Sequence, residues 1–204
     1  AYKRGTSVYL VDRVVPMLPE VLSNGICSLN AHEDRYAMTC MMEIDDSGTV
    51  VNYRIRPSII HVGRRCSYKE VYKALEENII PDDLQDFMPM LRDLAEISKI
   101  LNRMRRRRGA LDFDFPEYKV LLDLDGTPLR IVKRDRTMAE RLIEECMLIA
   151  NETVATHLKN THRTSVYRIH ESPSEEKLDL FQKVLNYLGQ DLVLCADGVT
   201  PRDF

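Results

Sequence analysis

Long apolar runs are missing from this sequence of 204 residues, and with them the usual signature of a membrane protein. No stretch approaches the roughly 18 consecutive apolar residues that a membrane helix needs. The first residues also lack the basic-then-apolar layout of a signal peptide. We therefore expect a cytoplasmic location and no membrane partner.

Cysteine pairs with metal-binding spacing are missing too. The five cysteines occur without a C-x-x-C pair, and their odd number leaves at least one outside any disulfide scheme. The five histidines add no zinc spacing. These patterns predict reduced, mostly buried thiols and no zinc site; the cysteines are Cys27, Cys40, Cys66, Cys146 and Cys195.

A strong excess of positive charge is also absent, because the formal net charge is -3. The net charge therefore does not by itself indicate nucleic-acid binding, yet the basic residues are unevenly distributed along the chain. Arg103 and residues 105–108 form one dense arginine run. With 44% apolar and 30% charged residues, and without repeats or a low-complexity linker, the composition predicts one soluble domain with a local basic patch.

The pattern of β-rich segments predicts a short strand at residues 7–10 and two hairpins. Residues 37–44 and 49–60 flank the turn sequence D-D-S-G, and residues 120–124 and 129–132 flank D-G. A further strand is predicted at residues 164–169.

Capping signals predict the helices. Ser67 with Glu70, and Thr137 with Glu140, have the spacing of capping boxes, which start helices reaching about residues 75 and 158. A helix over residues 88–108 has a core-facing apolar stripe and Gly109 at its C-terminal cap. A last helix is predicted to begin after the capping residue Ser172, with proline at its first position, and to end near Gly189. The expected class is mixed α+β.

Four blocks of sequence carry a family resemblance. They read R-G-T-S-V-Y-L-V-D-R-V-V-P-M-L-P-E-V-L-S-N-G-I-C-S-L-N at residues 4–30, R-G-A-L-D-F at 108–113, L-I-E-E-C-M-L-I-A-N at 142–151 and Y-R-I-H-E-S-P at 167–173. In order and rough spacing, the chain resembles the catalytic domain of the ribonuclease R and ribonuclease II exoribonucleases, known as the RNB domain. Ribonuclease R is the nearer of the two.

The resemblance implies that residues 1–204 are the central segment of an RNB catalytic domain. The fold would be a barrel-like sheet of β-hairpins with packed helices, of which this chain supplies a portion. The family's aspartate cluster, expected upstream of R-G-T-S-V-Y, and its downstream T-S-P-I-R block are not in this sequence. The intact enzyme would hydrolyse single-stranded RNA processively from the 3′ end to nucleoside monophosphates.

The resemblance also implies RNA-contacting residues. Tyr9 and Phe113 match the aromatics between which the family stacks bases near the 3′ end, although by themselves they fit sheet packing and a core anchor. Glu144 matches the glutamate that contacts the ribose, and Tyr68 a tyrosine with the same role. Without the family, a structural ion pair for Glu144 or its neighbour Glu145 and a core position for Tyr68 remain open.

Backbone contacts and metal binding complete these expectations. Arg105 and Arg106 would line an RNA channel, with a solvated helix end as the alternative, and His170 would touch the RNA backbone or serve a structural hydrogen bond. Neither Asp112 with Asp114 nor Asp123 with Asp125 matches the family's metal cluster. We expect no metal ligand in this chain, and Mg²⁺ in the intact enzyme held by residues outside it.

Two interpretations of function follow. In the first, the chain is a part of the exoribonuclease that binds single-stranded RNA and is inactive alone. In the second, it is a stand-alone RNA-binding or interaction module derived from the nuclease domain. We expect a monomeric parent, and self-association of this chain where its sheet edges are exposed.

Overall fold

The computed structural model describes residues 2–111, 115–134, 136–169 and 171–190. The strands form three separate antiparallel hairpins within these residues, and no closed barrel is present there. They are β1 Val8–Tyr9, β2 Val14–Val15, β3 Asp34–Ile44, β4 Val50–His61, β5 Glu117–Leu122 and β6 Pro128–Arg134. The expected α+β class is confirmed, and the barrel-like sheet does not form from this segment by itself.

The described residues also form four α-helices, of which the first three contact one another. They are α1 Tyr68–Glu76, α2 Met88–Arg107, α3 Met138–Asn160 and α4 Glu175–Tyr187. A π-helical turn, Val21–Ile26, follows the first hairpin, and a 3₁₀ turn, Asp82–Phe87, leads into α2. Among the described residues, no helix combines the length and apolarity that crossing a membrane requires.

The long β3–β4 hairpin is closed by the turn that the sequence predicted. The Asp45 carboxylate accepts hydrogen bonds from the Ser47 and Thr49 backbone amides at 2.9 Å each. The Ser47 hydroxyl, followed by the Thr49 amide, lowers the pKa of Asp45. Gly48 has a φ of +87°, and a Cβ there would lie 2.8 Å from the Met104 Cβ, so only glycine lets the turn approach α2 this closely.

Both predicted capping boxes are confirmed. In α1 the Glu70 amide and carboxylate exchange hydrogen bonds with Ser67. In α3 the Thr137 side chain caps the first turn while Glu140 accepts from the Thr137 amide at 3.0 Å. These bonds use amides that have no partner within the helix, and they fix where α1 and α3 begin.

The core lies where α1, α2 and the start of α3 meet. Its cluster of buried side chains is Val71, Ala74, Leu84, Met88, Leu91 and Ala139. Leu84 of the 3₁₀ turn and Leu101 of α2 are the most completely buried large side chains, at 0% and 1% exposure. The strands of the hairpins contain only exposed or partly buried residues, so helix packing stabilises the centre of the described structure.

Several local predictions are wrong. Residues 164–169 form no strand. The α4 helix begins after Ser174 instead of Ser172. The described cysteines are free but not buried, since Cys27 and Cys66 are exposed and Cys40 and Cys146 are partly exposed; Cys195 lies outside the described residues.

Apolar residues cover most of the circumference of α3 and by themselves predict burial on most sides, but the helix is buried on one face only. Ile143 and Met147 are 41% and 56% exposed. One face is buried, at Ala139, Leu142, Glu145, Ile149 and Thr153. The three- and four-residue steps of this set show that α3 contacts its neighbours along one stripe only.

Candidate functional site

Tyr9 lies on the surface of the small β1–β2 hairpin, where it pairs with Val14. Its side chain is 78% exposed, so it packs neither in the sheet nor in the core of the described structure. The Leu10 amide donates to the Arg13 carbonyl at 2.8 Å across the turn, and the Met17 amide donates to the Ser7 hydroxyl at 3.0 Å. The hairpin therefore presents an accessible aromatic ring on a hydrogen-bonded support.

Tyr68 is the first residue of α1 and is 43% exposed. The segment before it is held by Arg64, which contacts Asp83 at 2.9 Å and Glu70 at 3.2 Å. Hydrogen bonds to the Cys66 sulfur, first, and to Asp83 raise the pKa of Arg64. The buried residues of α1 are Val71 and Ala74, so Tyr68 lies at the border between the core and the surface.

Glu144 and Glu145 are neighbours in sequence but occupy different environments. The Glu144 carboxylate is about one-third exposed, at 35%, and accepts a hydrogen bond from Arg136. Glu145 is only 3% exposed and accepts through Oε1 from Arg105 Nη1 at 2.8 Å and Asn102 Nδ2 at 3.0 Å. The structural ion pair is thus clearest for Glu145, whereas Glu144 keeps access to solvent.

The second oxygen of Glu145, Oε2, is buried without a hydrogen-bond partner in the described structure. Glu145 lines a cavity of about 310 Å³ together with Lys99, Asn102 and Arg141. Burial, followed by the charge of Glu145, raises the pKa of the adjacent Cys146 thiol, so this cysteine is not an activated nucleophile. The sequence did not predict the contact of Asn102 with Glu145, because residues 43 positions apart meet only through tertiary packing. Arg136 was also missed, although it lies only eight residues before Glu144.

The arginine run at the end of α2 is divided among several partners. Arg105 contacts Glu145, Arg107 donates to the Ser47 carbonyl of the β3–β4 turn, and Arg108 makes a two-pronged contact with Glu152 at 2.9 and 2.7 Å. The Arg108 contact lowers the pKa of Glu152. Arg106 lies on the exposed side of the last turn. At least three arginines of this run therefore connect α2 to α3 and to the long hairpin.

Phe113 and His170 lie outside the described residues, as do Asp112 and Asp114. Within the described ranges, no group of three or more His, Cys, Asp or Glu side chains is arranged to hold a metal ion. The Asp123 carboxylate accepts from the Asp125 and Thr127 amides at 3.0 and 2.8 Å, which is the turn-forming role expected for it.

Tyr9, Tyr68 and Glu144 lie on three different elements, β1, α1 and α3. No hydrogen bond or ring contact joins these three residues in the part of the chain that the structure describes. The structure instead brings together two other groups: Arg136 with Glu144, and Asn102 and Arg105 with Glu145.

Comparisons with known proteins identify the fold. The model of the RNB domain matches residues 1–200. The chain is 44% identical to Ribonuclease R 1 of Lactococcus lactis over 203 residues, covering 99% of this chain and 25% of that protein. Ribonuclease R of Thermotoga maritima is 44% identical over 190 residues, covering 93% and 27%. The chain thus spans about a quarter of the length of these relatives.

A solved structure shows the same arrangement of elements. Mycoplasma genitalium RNase R, in complex with ribose methylated single-stranded RNA, superposes with a TM-score of 0.91 at 32% sequence identity. The match covers 97% of this chain and 31% of that protein. Because the family model and the structural match each cover nearly the whole chain, this chain belongs to the RNB domain family and resembles ribonuclease R.

Proposed function

We propose that residues 1–204 are the central segment of a 3′-to-5′ exoribonuclease that releases nucleoside monophosphates from single-stranded RNA, and that this segment contributes RNA-contacting side chains. The observation that carries the proposal is the likeness to an RNase R bound to single-stranded RNA, which extends over 97% of the chain. In this proposal the RNA strand contacts Tyr9 on β1 and Glu144 on α3.

Base stacking on Tyr9 supports this function. A tyrosine ring that is 78% exposed can receive a base without displacing a packed neighbour. Stacking contributes about 1–3 kcal/mol per base and accepts any base, which suits an enzyme that degrades RNA without sequence preference. In the proposal Phe113 supplies the second ring of the clamp.

Recognition of ribose is assigned to Glu144 and Tyr68. A carboxylate oxygen can accept a hydrogen bond from the 2′-hydroxyl, which deoxyribose lacks. Glu144 is suited to this role because its side chain reaches the surface, while Glu145 is enclosed by Arg105 and Asn102. Tyr68, at 43% exposure, is accessible to the same strand.

Contacts to the RNA backbone and the metal belong to the same proposal. We assign Arg106 and His170 to phosphate contacts, and Arg105 to the support of Glu145 at the edge of the channel. The described residues offer no set of metal ligands, so the residues of this segment are assigned to binding RNA. In the intact enzyme Mg²⁺, held by residues outside this chain, would polarise the phosphate and activate water.

Binding of a single-stranded RNA oligomer tests the stacking role. We expect Tyr9→Ala to weaken binding roughly 5- to 150-fold, which is the stacking energy expressed as affinity, and Tyr9→Phe to retain it. Tyr118→Ala is the matched control, because Tyr118 is also a strand tyrosine and is 67% exposed. Equal loss in both alanine variants, or no loss in either, would contradict the assignment to Tyr9.

Hydrolysis is tested separately with labelled RNA and Mg²⁺. We expect the 204-residue chain to bind RNA and release no nucleoside monophosphate. If Mg²⁺-dependent release of nucleoside monophosphate co-purifies with the protein through successive chromatography columns, the metal ligands lie within this chain.

A further inference from the structure

Arg136 occupies a position from which it can control the carboxylate of Glu144. It directly precedes Thr137, the residue that caps α3, while Glu144 lies near the end of the second turn of that helix. The guanidinium Nη2 donates to Glu144 Oε2. Both side chains are about one-third exposed, at 33% and 35%, so the pair lies at the surface and is accessible to a ligand.

The backbone beneath Arg136 is held in place by the capping box of α3. The Thr137 amide donates to Glu140 at 3.0 Å, and the Ala139 amide donates to the Thr137 hydroxyl at 3.3 Å. Burial raises the pKa of Glu140, but hydrogen bonds from Thr137 outweigh it and leave this pKa lowered. Because the arginine extends from an ordered helix start, its head restricts where the Glu144 carboxylate can point.

Only one carboxylate oxygen of Glu144 is engaged by this contact. Oε2 accepts from Arg136, whereas Oε1 accepts no hydrogen bond in the described structure. A carboxylate fixed through one oxygen presents the other as an acceptor without losing further rotamer freedom when a ligand binds. The guanidinium suits this task because its charge strengthens the single Nη2 contact to Oε2, which restrains the carboxylate and leaves Oε1 available.

Resting on the proposed role of Glu144 in ribose recognition, we propose that Arg136 is a positioning residue that sets the preference of this chain for RNA over DNA. It holds Oε2 so that Oε1 accepts the 2′-hydroxyl. This role differs from a direct phosphate contact, which would strengthen the binding of ribose and deoxyribose strands alike.

The test compares a short RNA with the same oligomer carrying 2′-deoxyribose in its three 3′-terminal nucleotides. The selectivity is the ratio of the two dissociation constants for the 204-residue chain. We expect Glu144→Leu, which removes both carboxylate oxygens, and Arg136→Gln each to lower this selectivity by roughly 5- to 10-fold, the value of one lost hydrogen bond. The double variant should lower it no further, because both changes remove the same interaction.

Two further variants sharpen the result. Arg136→Lys keeps the charge but not the fork, so its selectivity should fall between those of the wild type and Arg136→Gln. Arg130→Gln removes the same charge from an exposed position on β6 and should weaken both oligomers equally, leaving the selectivity unchanged. Helix content by circular dichroism checks that α3 remains folded in each variant.

The outcomes separate the two proposals. If Glu144→Leu lowers the selectivity and both Arg136 variants do not, the inference about Arg136 is overturned while ribose recognition by Glu144 stands. Equal weakening of both oligomers by Arg136→Gln overturns the inference as well, in favour of a phosphate contact. If Glu144→Leu leaves the selectivity unchanged, the proposed role of Glu144 fails, and the positioning role fails with it.

Discussion

The buried contact between Arg105 and Glu145 provides the sharpest test of how α2 and α3 are joined. Glu145 is 3% exposed and Arg105 is 21% exposed, and their side chains meet at 2.8 Å. Arg105→Met leaves a buried carboxylate with Asn102 as its remaining partner. Removing one member of a buried pair costs about 3–5 kcal/mol, and the retained bond to Asn102 places the expected loss near the lower end, about 3 kcal/mol.

Removing Glu145 instead of Arg105 should lower the free energy of unfolding by a smaller amount. Glu145→Leu leaves Arg105 partly exposed and able to find water, so we expect a loss of about 1–2 kcal/mol. The double variant Arg105→Met/Glu145→Leu replaces the pair with apolar side chains and should be more stable than the sum of the single losses predicts, by about 1–3 kcal/mol.

Urea denaturation followed by far-UV circular dichroism measures these differences, provided that unfolding is two-state. Arg103→Met, on the exposed side of the same helix, is the matched control and should stay within about 0.5 kcal/mol of the wild type. The reasoning is refuted if Arg105→Met is as stable as this control, or if the two single losses simply add in the double variant.

Two further predictions concern the long hairpin and its helix contacts. Gly48→Ala should destabilise the chain by about 1–3 kcal/mol more than Gly126→Ala. Both glycines have a positive φ, but only at Gly48 would the new Cβ lie 2.8 Å from the Met104 Cβ. Equal losses of stability in thermal melts of the two variants would contradict this clash. Glu152→Gln should destabilise the chain at pH 7 by at most about 1 kcal/mol, since the Arg108 contact is half exposed. That contact lowers the Glu152 pKa below 4.5, so the difference in stability between wild type and variant should disappear as the pH falls through this lowered pKa. A stability difference that persists in urea titrations at acidic pH would refute this prediction.

The adjacent glutamates show why the candidate site was only partly predictable. The sequence indicates that two carboxylates on an apolar helix need partners, but it does not say which of them faces α2. The structure buries Glu145 against Asn102 and Arg105 and leaves Glu144 to Arg136. Consecutive residues on a helix point about 100° apart, so the rotation of α3 against its neighbours decided their environments.

The arginine run illustrates the same limit. The high density of arginines suggested that they line an RNA channel or form a solvated helix end. Neither interpretation describes every arginine of the run. Arg107 and Arg108 contact the β3–β4 turn and Glu152, partners that are 60 and 44 residues away in sequence. Contacts over such separations depend on how the elements assemble, and no local pattern reveals them.

The features that the sequence determined by itself depend on interactions between residues close together in the chain. Hydrogen bonds between residues three positions apart set the helix starts at Ser67 and Thr137, and a turn of aspartate and glycine set the β3–β4 hairpin, so these elements were predictable. The tertiary structure alone decided which carboxylate is buried and which arginines hold the helices together. Those choices depend on the packing of distant elements against one another, and packing is a property of the whole fold.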